Sequence, residues 1–316
     1  MKNYGKAAGI FLMSLLTMTS CSKNDEDDST TMEAEAYNTS FKITDAPVDH
    51  ANVEAVFVTI SDVKVDGTSL EGFSKTTIEL SALVDGKTET LGNLDLEAGS
   101  YSSIELELDY ATDAAGNAPG CYVATVDGEK DKIEASASSI DVGDTFEVFA
   151  EASNEVVIDF DLRKTIKEEQ GSFPSDFEFV SMSELSAGIR ALNEKSTGMI
   201  EGSADDSGDF EKIVVYAYKK GSFDAEAETK GKGESNVTFA NAVTSSAVAS
   251  ADGFYSLNFL SEGDYELVFA SYTKDGDQFF FNALLEAEST TGLDLGAISV
   301  TSTLQLSADV TITGTK

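Results

Sequence analysis

The stretch Ile104-Glu105-Leu106-Glu107-Leu108-Asp109 alternates apolar and acidic side chains residue by residue. Successive side chains of a β-strand point to opposite faces, so this pattern predicts a strand with one buried face and one face in water. The same alternation recurs in Ile158-Asp159-Phe160-Asp161-Leu162 and, as the longest run, in residues 304–312. Strands of this kind bury one face against a second sheet, so the chain is expected to be mainly β.

Turn signals separate these runs and set their length. Asp-Gly pairs, which tolerate positive φ, are found at Asp66-Gly67, Asp85-Gly86, Asp127-Gly128, Asp252-Gly253 and Asp275-Gly276. Short strands at this spacing predict two tandem antiparallel β-sandwich domains. A change of apolar phase between Ile60 and Val63 predicts a β-bulge near Ser61-Asp62. Helix signals are weak and limited to residues 81–83 and 163–169.

A short repeat links the two halves of the chain. Leu96-Glu97-Ala98-Gly99-Ser100-Tyr101 returns as Leu260-Ser261-Glu262-Gly263-Asp264-Tyr265. A tyrosine at such a sandwich corner can bury its ring while its hydroxyl bonds to a nearby backbone group. The repeat therefore predicts a structural corner in each half, with exposed sugar-stacking tyrosines as the alternative.

The N-terminus carries an export signal. Lys2 and Lys6 precede a short apolar run, Ile10 to Leu16, and small residues stand directly before Cys21. The run is too short to span a bilayer, so it predicts a cleaved signal peptide. The pattern resembles the lipobox of bacterial lipoproteins, which implies a diacylglyceryl group and palmitate on Cys21 as the new N-terminus.

The segment after Cys21 is acidic and polar, and it includes Asp25-Glu26-Asp27-Asp28. Such a segment predicts a solvated tether. It resembles the acidic export signal that sends some lipoproteins to the outward face of the outer membrane, although a plain spacer is the alternative. Asp28-Ser29-Thr30 resembles an O-glycosylation acceptor, with Ser29 as the modified residue.

Charge and composition exclude several classes of function. The net charge of −36 repels phosphate backbones, so no nucleic-acid partner is expected, and membrane contact should come only through the N-terminal lipid. The chain has one histidine, His50, and two cysteines, which excludes the common zinc sites. Cys121 lacks a partner for an intrachain disulfide once Cys21 is acylated, and a buried strand thiol is its expected state.

The C-terminal half resembles a known domain family. Asp252-Gly253-Phe254-Tyr255-Ser256-Leu257, followed by Leu260, Gly263, Tyr265 and Leu267, is similar to the core of carboxypeptidase-regulatory-like domains. The resemblance implies a seven-stranded transthyretin-like sandwich that serves as a spacer or binding module without catalytic residues.

The N-terminal half resembles the bacterial domain-of-unknown-function family DUF4382. The resemblance rests on Phe41 to Pro47, Val56 to Val65, Leu96 to Leu108, and Ile158-Asp159-Phe160-Asp161 followed by Arg163 to Ile166. It implies an exported, often lipid-anchored protein and brings no biochemical activity with it.

The expected organisation follows from these segments. It comprises a signal peptide at 1–20, a lipidated tether at 21–37, a β-sandwich domain at 38–192, a linker at 193–198 and a carboxypeptidase-regulatory-like sandwich at 199–316.

Three aspartates form the candidate metal site. Asp159 and Asp161 share one face of a predicted strand, about 7 Å apart. If Asp45 lies near them, the like charges need a counter-ion such as calcium. The alternative for Asp45 is a structural turn, in which its carboxylate accepts backbone N–H groups ahead of Pro47.

No motif of an enzyme is present: the sequence lacks a nucleophile elbow, a dinucleotide-binding loop and a phosphate-binding loop. We therefore expect a non-catalytic binding or adhesion module with an unidentified extracellular ligand, either glycan or protein. The alternative is a pilus subunit or tip protein assembled by strand addition, with residues 304–312 as the donated strand. A carbohydrate-active enzyme is the third hypothesis, made less attractive by the absence of tryptophan.

Overall fold

The computed structural model describes residues 35–46, 53–168, 177–206, 210–275 and 278–316. All of them belong to one compact unit, Glu35–Lys316. The predicted signal peptide, most of the tether, Cys21, Ser29, Pro47 and His50 lie outside the described residues. No helix in the described part is long and apolar enough to cross a bilayer.

The strands of residues 35–193, which we call the first lobe, precede the predicted linker. They are β1 (Ala36–Thr44), β2 (Val53–Val65), β3 (Thr68–Ser69), β4 (Thr76–Glu79), β5 (Glu89–Glu97), β6 (Gly99–Tyr101), β7 (Ile104–Leu108), β8 (Tyr122–Thr125), β9 (Lys130–Lys132), β10 (Ser139–Val142), β11 (Phe146–Val148), β12 (Asn154–Phe160), β13 (Ile166–Glu168), β14 (Phe177–Phe179) and β15 (Ile189–Asn193).

The strands of residues 197–316, which we call the second lobe, are β16 (Thr197–Asp205), β17 (Lys212–Lys219), β18 (Thr244–Ala247), β19 (Phe254–Ser261), β20 (Gly263–Asp275), β21 (Gln278–Ser289), β22 (Ile298–Val300), β23 (Gln305–Ser307) and β24 (Val310–Thr315). The helices are short: α1 (Leu162–Thr165), α2 (Met182–Ala187) and α3 (Ala225–Lys230), with 3₁₀ turns at Leu80–Ala82 and Glu194–Ser196.

Two sheets enclose the core of the first lobe. One has the strand order β15-β12-β1-β5, and the other has the order β10-β7-β2-β8-β9, with β3 and β4 also paired to β2. Alternating residues of β7 and β2 fill the space between the sheets, including Ile104, Leu106 and Val58, which are fully buried. The predicted bulge is confirmed, since the β2–β7 register shifts between Ile60 and Asp62.

The second lobe is one curled sheet with the order β18-β17-β20-β21-β24-β16-β19, with β22 and β23 paired to β20 and β16. Its central strands are buried on both faces. In β17, Ile213 and Val215 face the core inside the curl, whereas Tyr216 and Tyr218 belong to an aromatic cluster on the other face. Residues of α3 and the segment after it cover that cluster, with Phe239 fully buried in it.

The mainly β prediction is confirmed, and so are the two tyrosine corners. The Tyr101 hydroxyl donates to the Glu97 carbonyl at 2.9 Å, and the Tyr265 hydroxyl donates to the Ser261 carbonyl at 2.7 Å. Each bond spans four residues, so the sequence repeat is also a structural repeat. The Tyr265 ring is fully buried, whereas Tyr101 is half-buried.

Two strand predictions need correction. Residues 304–312 do not form one long strand, because the chain changes partners at Ala308-Asp309: β23 pairs with β16, and β24 pairs with both β16 and β21. The prediction that the acidic face of this segment is exposed to water is also wrong, since Asp159 and Asp161 are buried. The alternation indicates which face is polar, but it does not show what covers that face, and here other charged groups cover it. Three pairings, β1–β12, β16–β23 and β16–β24, are parallel in sheets that are otherwise antiparallel.

Candidate functional site

Three aspartates meet where β1 and β12 end. These two strands run parallel, with Thr44 opposite Asp159, so Asp45 follows β1 beside the residues that follow Asp159. Asp161 is the first residue after β12 and precedes helix α1. All three carboxylates are buried. The Asp45 Oδ1 atom accepts the N–H of Leu162 at 2.9 Å, so it caps α1 from a distant part of the chain.

Cations of the first lobe balance this buried negative charge. Arg163 Nη2 lies 2.9 Å from Asp161 Oδ2, and Lys164 Nζ lies 3.3 Å from the same oxygen. Arg190 contacts Asp159 Oδ2 through Nε at 2.8 Å and Nη2 at 2.6 Å. Three carboxylates thus face three cations.

Both arginines also reach the second lobe. Arg163 Nη1 donates to the Phe239 carbonyl at 2.7 Å, and Arg190 Nη1 donates to the Phe259 carbonyl at 2.9 Å. The two phenylalanines have φ values of +51° and +53°. A bulky residue rarely adopts this left-handed conformation. At both positions the unusual backbone accompanies a carbonyl that accepts a hydrogen bond from a partly buried arginine.

We call this set, consisting of Asp159, Asp161, Arg163, Arg190 and the Phe239 and Phe259 carbonyls, the arginine junction. Arg163 and Arg190 are the only arginines in the sequence, against nineteen lysines. A guanidinium can bind a carboxylate and a carbonyl at once, whereas a lysine offers a single compact charge. Sequence analysis quoted Arg163 only within the family resemblance and assigned neither arginine to a site, although the rarity of arginine in this chain was a signal that could have found them.

Aromatic and hydrogen-bonded contacts surround the arginine junction. The Arg163 guanidinium lies 5.5 Å from the centre of the Tyr216 ring, which stacks on Phe239 at 4.2 Å. Farther along, Glu184 of α2 accepts the N–H of Ser235 at 3.1 Å while it also forms the capping box of α2 with Ser181. The contact between the lobes therefore includes side chains from α1, α2 and β15.

Burial acts differently on the charged groups of the cluster. Burial raises the pKa of Asp45 well above its usual range, and the neighbouring Asp161 and Asp159 raise it further. Asp161 is equally buried, but Arg163 and Lys164 outweigh the effect of burial and leave its pKa below the ordinary value. Burial lowers the pKa of Lys164, against the attraction of Asp161. The ion pairs are thus centred on Asp161 and Asp159, and Asp45 is the carboxyl that tends to hold a proton.

A small polar cavity lies beside these groups. Asp45 and Asp159 of the first lobe and Ser245 and Asn258 of the second are among its lining residues, and it has room for about one water molecule. Asp45 Oδ2, Asp159 Oδ1 and Ser245 Oγ are buried without a hydrogen-bond partner among the described residues. A single water could bond to two carboxylate oxygens and one hydroxyl, whereas a sugar or other organic substrate is too large.

The calcium prediction rested on a need for an external counter-ion. The structure brings Asp45, Asp159 and Asp161 together, but Arg163, Lys164 and Arg190 already form ion pairs with Asp159 and Asp161. A divalent cation here would leave excess buried positive charge. Within the described ranges, no group of three or more histidine, cysteine, aspartate or glutamate residues is arranged to bind a metal. Calcium binding stays a prediction, but the need for an external counter-ion, which was the reason for it, no longer applies.

The described cysteine offers no nucleophile. Cys121 lies in the first lobe, where it is fully buried next to Thr59. Burial raises the pKa of its thiol to about 11. The thiol is therefore protonated near neutral pH and unreactive.

Comparison with known proteins gives one family match. Residues 38–173, less than half of the chain, match the family described as a domain of unknown function, DUF4382. The match lies within the first lobe and includes the three aspartates and Arg163. No curated protein matches the chain.

Similar solved structures include the TIE protein of Bacillus anthracis, with 14% identity and a TM-score of 0.20, covering 89% of this chain and 34% of that one. The major pilin subunit of Bacillus cereus has 12% identity and a TM-score of 0.21, covering 88% and 71%. The minor pilin of Streptococcus agalactiae has 12% identity and a TM-score of 0.19, covering 88% and 98%. This chain spans about a third of the first of these proteins. TM-scores of this size do not establish a shared fold.

Proposed function

We propose that this protein is a lipid-anchored, outward-facing module of the outer membrane that binds or adheres without catalysis, and whose two lobes act as one rigid body. The arginine junction is the observation that carries the proposal. It joins the lobes through two partly buried arginines, each held by its own aspartate. Hydrogen bonds from charged donors contribute about 1.5–3 kcal/mol each, which suffices to restrain one lobe against the other.

The chemistry of the junction suits a structural role better than a reaction. Its ionised groups are directed at one another, and the adjacent cavity has room only for a water-sized molecule. An active site instead needs polar groups that converge on space for a substrate. The described cavity offers no such space, which supports binding through an outer surface.

Attachment to the membrane is part of the proposal, because a rigid spacer works only if one end is fixed. Cys21→Ala should release the protein from the membrane fraction and abolish incorporation of labelled palmitate, and Ser22→Ala serves as the control that keeps both. Protease added to intact cells should remove the lobes if they face outward. Continued membrane attachment of Cys21→Ala would contradict the anchor.

Binding without turnover can be tested on a glycan array and an array of immobilised extracellular proteins. Cells that display the wild-type chain should be retained on at least one surface more strongly than cells that express Cys21→Ala and therefore do not display it. The bound probe should be recovered unchanged by mass spectrometry. Chemical conversion of a probe would overturn the non-catalytic proposal, and equal retention of both cell types would overturn the adhesive one.

A pilus subunit or tip protein is the second candidate, and the position of β24 bears on it. β24 lies between β21 and β16 of its own sheet, and Val310 is fully buried. Donation of residues 304–312 to another subunit would therefore open the core of the second lobe. Assembly by another strand remains consistent with this candidate, and fibres seen by electron microscopy after removal of the anchor would favour it.

The resemblance of the second lobe to carboxypeptidase-regulatory-like domains is also a proposal. It is supported by the buried positions of Tyr255, Leu257, Leu260 and Tyr265, which are four of the motif residues of the resemblance. An experimental structure of this lobe with the strand order of a transthyretin-like sandwich would establish it.

A further inference from the structure

One strand of the second lobe has an edge that its neighbours do not fully cover. β21 pairs with β20 from Gln278 to Leu285. On its other side, the pairing with β24 begins only at Leu285, and the N–H of Lys316 donates to the Leu284 carbonyl at the end of that pairing. Among the described residues, Phe279–Ala283 therefore has a paired strand on one side only.

This exposed edge contains one device that can hinder association, a β-bulge at Asn282 where the pairing with β20 shifts register, but it lacks the others. Sheet edges are commonly blocked by charged residues, prolines or very short strands. The edge strand β9, for example, consists of Lys130, Asp131 and Lys132. The sequence Phe279-Phe280-Phe281-Asn282-Ala283 has no charge, proline or glycine. It has the composition of segments that pair readily with other strands.

Packing holds the exposed edge in its extended form. Phe279 and Phe281 pack against the aromatic cluster of the second lobe, and the Phe281 ring lies 5.6 Å from that of Phe239. Phe280 points away from this cluster and is 50% exposed. A strand that is already ordered loses little further entropy when it pairs.

Charge favours this place for contact between two copies. Elsewhere, copies with a net charge of −36 repel one another. Around the exposed edge, Lys212 lies 4.8 Å from the Phe279 ring, Lys274 is opposite Phe279 on β20, and Lys316 ends beside Leu284. Glu211 and Asp275 lie nearby, so the local net charge of these five residues is close to zero.

We propose that two copies of this chain associate by antiparallel pairing of their Phe279–Ala283 edges. The same edge serves both partners, so the arrangement is two-fold symmetric and closes as a dimer. Backbone hydrogen bonds supply the pairing, and each Phe280 side chain lies opposite Asn282 of the other copy, with the two Phe280 side chains diagonal to each other on one face. The contact is small and its affinity modest, but anchoring in one membrane would raise the effective concentration of the partners.

The test is sedimentation analysis of the chain from Ser22 onward, which lacks the predicted leader and acyl group, over a wide range of concentration. Wild type should form a dimer reversibly. Phe280→Lys places like charges across the pair and should weaken dimerisation by about tenfold or more. Phe254→Lys is the matched control, because Phe254 is a 40% exposed phenylalanine of the same lobe away from the edge, and it should dimerise like wild type.

Asn282→Lys is a second variant at an exposed position and should also weaken dimerisation. Circular dichroism would verify that each variant is folded. A wild-type chain that stays monomeric up to its solubility limit would overturn the proposal. Equal dimerisation of wild type and both edge variants would overturn it as well.

Discussion

Asp45, Asp159 and Asp161 are close in space and equally buried, but their surroundings give them different roles. Asp159 and Asp161 form ion pairs with Arg190 and Arg163, respectively. Asp45 accepts one N–H and has a second oxygen without a partner among the described residues. Ionisation of Asp45 is therefore unfavourable, because Asp45 is buried and no cation is paired with it.

Asp45→Asn should leave the protein at least as stable as wild type at pH 7, and more stable by about 1–3 kcal/mol if Asp45 is ionised there. The amide oxygen can still accept the Leu162 N–H, and the amide nitrogen can donate within the cluster. A carboxyl with a raised folded pKa stabilises below its unfolded pKa, and that contribution is lost as pH rises through the folded value. The advantage of the variant should thus grow from pH 4 upward in urea titrations. A loss of stability at pH 7 would contradict this.

Asp161→Asn should have the opposite effect and destabilise the protein by about 3 kcal/mol at pH 7, because it leaves Arg163 and Lys164 buried without their carboxylate. The lowered pKa of Asp161 stabilises the fold above the unfolded value of about 4, and this contribution is lost as pH falls through the folded value. The variant should therefore lose less stability on acidification than wild type does. Equal slopes in the two acid titrations would count against the ion pair.

At the scale of single residues, the sequence predicted which aspartates would lie together but not what neutralises them. Asp159 and Asp161 were identified from their shared strand and Asp45 from its turn. Their cations come from α1 and from β15, and only the antiparallel β12–β15 register, which places Arg190 opposite Asp159, brings Arg190 close. Long-range register of this kind is set by tertiary packing and cannot be read from one stretch of sequence.

At the scale of elements, β19 is interrupted at Asn258-Phe259, where the β16–β19 register shifts. The left-handed Phe259 directs its carbonyl to Arg190. The Asp85-Gly86 turn of the first lobe packs against Asn258, and a Cβ on Gly86 would come within 2.8 Å of the Asn258 Oδ1 atom. The bulge and the turn are thus shaped to fit each other.

A comparison of Phe259→Asn with Phe259→Val distinguishes the contribution of backbone conformation to stability at this bulge from that of side-chain packing. Asparagine tolerates the left-handed region, whereas a β-branched residue is strained there by about 1–2 kcal/mol. We expect Phe259→Val to be less stable than Phe259→Asn in urea titrations, although valine resembles phenylalanine more in apolarity. The reverse order would show that side-chain packing, and not backbone conformation, determines this position.

The tyrosine corners permit a matched comparison between the lobes. Tyr265→Phe removes a buried hydroxyl that donates to Ser261 and lies 2.6 Å from Lys219, so it should cost about 1–2 kcal/mol. Tyr101→Phe removes one bond at a more exposed site and should cost about 0.5 kcal/mol. Thermal unfolding of both variants tests the difference. Equal costs would mean that burial does not set the strength of the corner.

Elements whose pattern is local were predicted correctly, and those that change partners were not. The alternation in Ile104–Leu108, the bulge at Ser61-Asp62 and the tyrosine corners depend on neighbouring residues alone. Residues 304–312 also alternate, but they are divided into β23 and β24, each of which pairs in parallel with β16. Periodicity gives the polarity of the two faces of a strand and contains no information on where the strand changes partner.

At the scale of the whole molecule, we propose that the two lobes form one rigid body. Each lobe has its own core, and the second has a further aromatic cluster that Arg163 touches from the first lobe. The sequence indicated two β units and a boundary near Asn193-Gly198, but nothing in it revealed their connection, because the interlobe bonds end on backbone carbonyls. Hydrogen bonds to a carbonyl leave no residue preference at the accepting position.

Differential scanning calorimetry of the chain from Ser22 onward, comparing wild type with Arg163→Lys/Arg190→Lys, tests this claim most directly. The double variant keeps the charges beside Asp161 and Asp159, but its compact ammonium groups lack the planar fork that reaches the carboxylate and the carbonyl from one side chain. Lys64→Arg/Lys75→Arg, at partly exposed ion pairs of the first lobe, is the matched control. The account predicts one two-state transition for wild type and the control, and two separate transitions for the double variant. Two transitions in wild type, or one unchanged transition in the double variant, would contradict it.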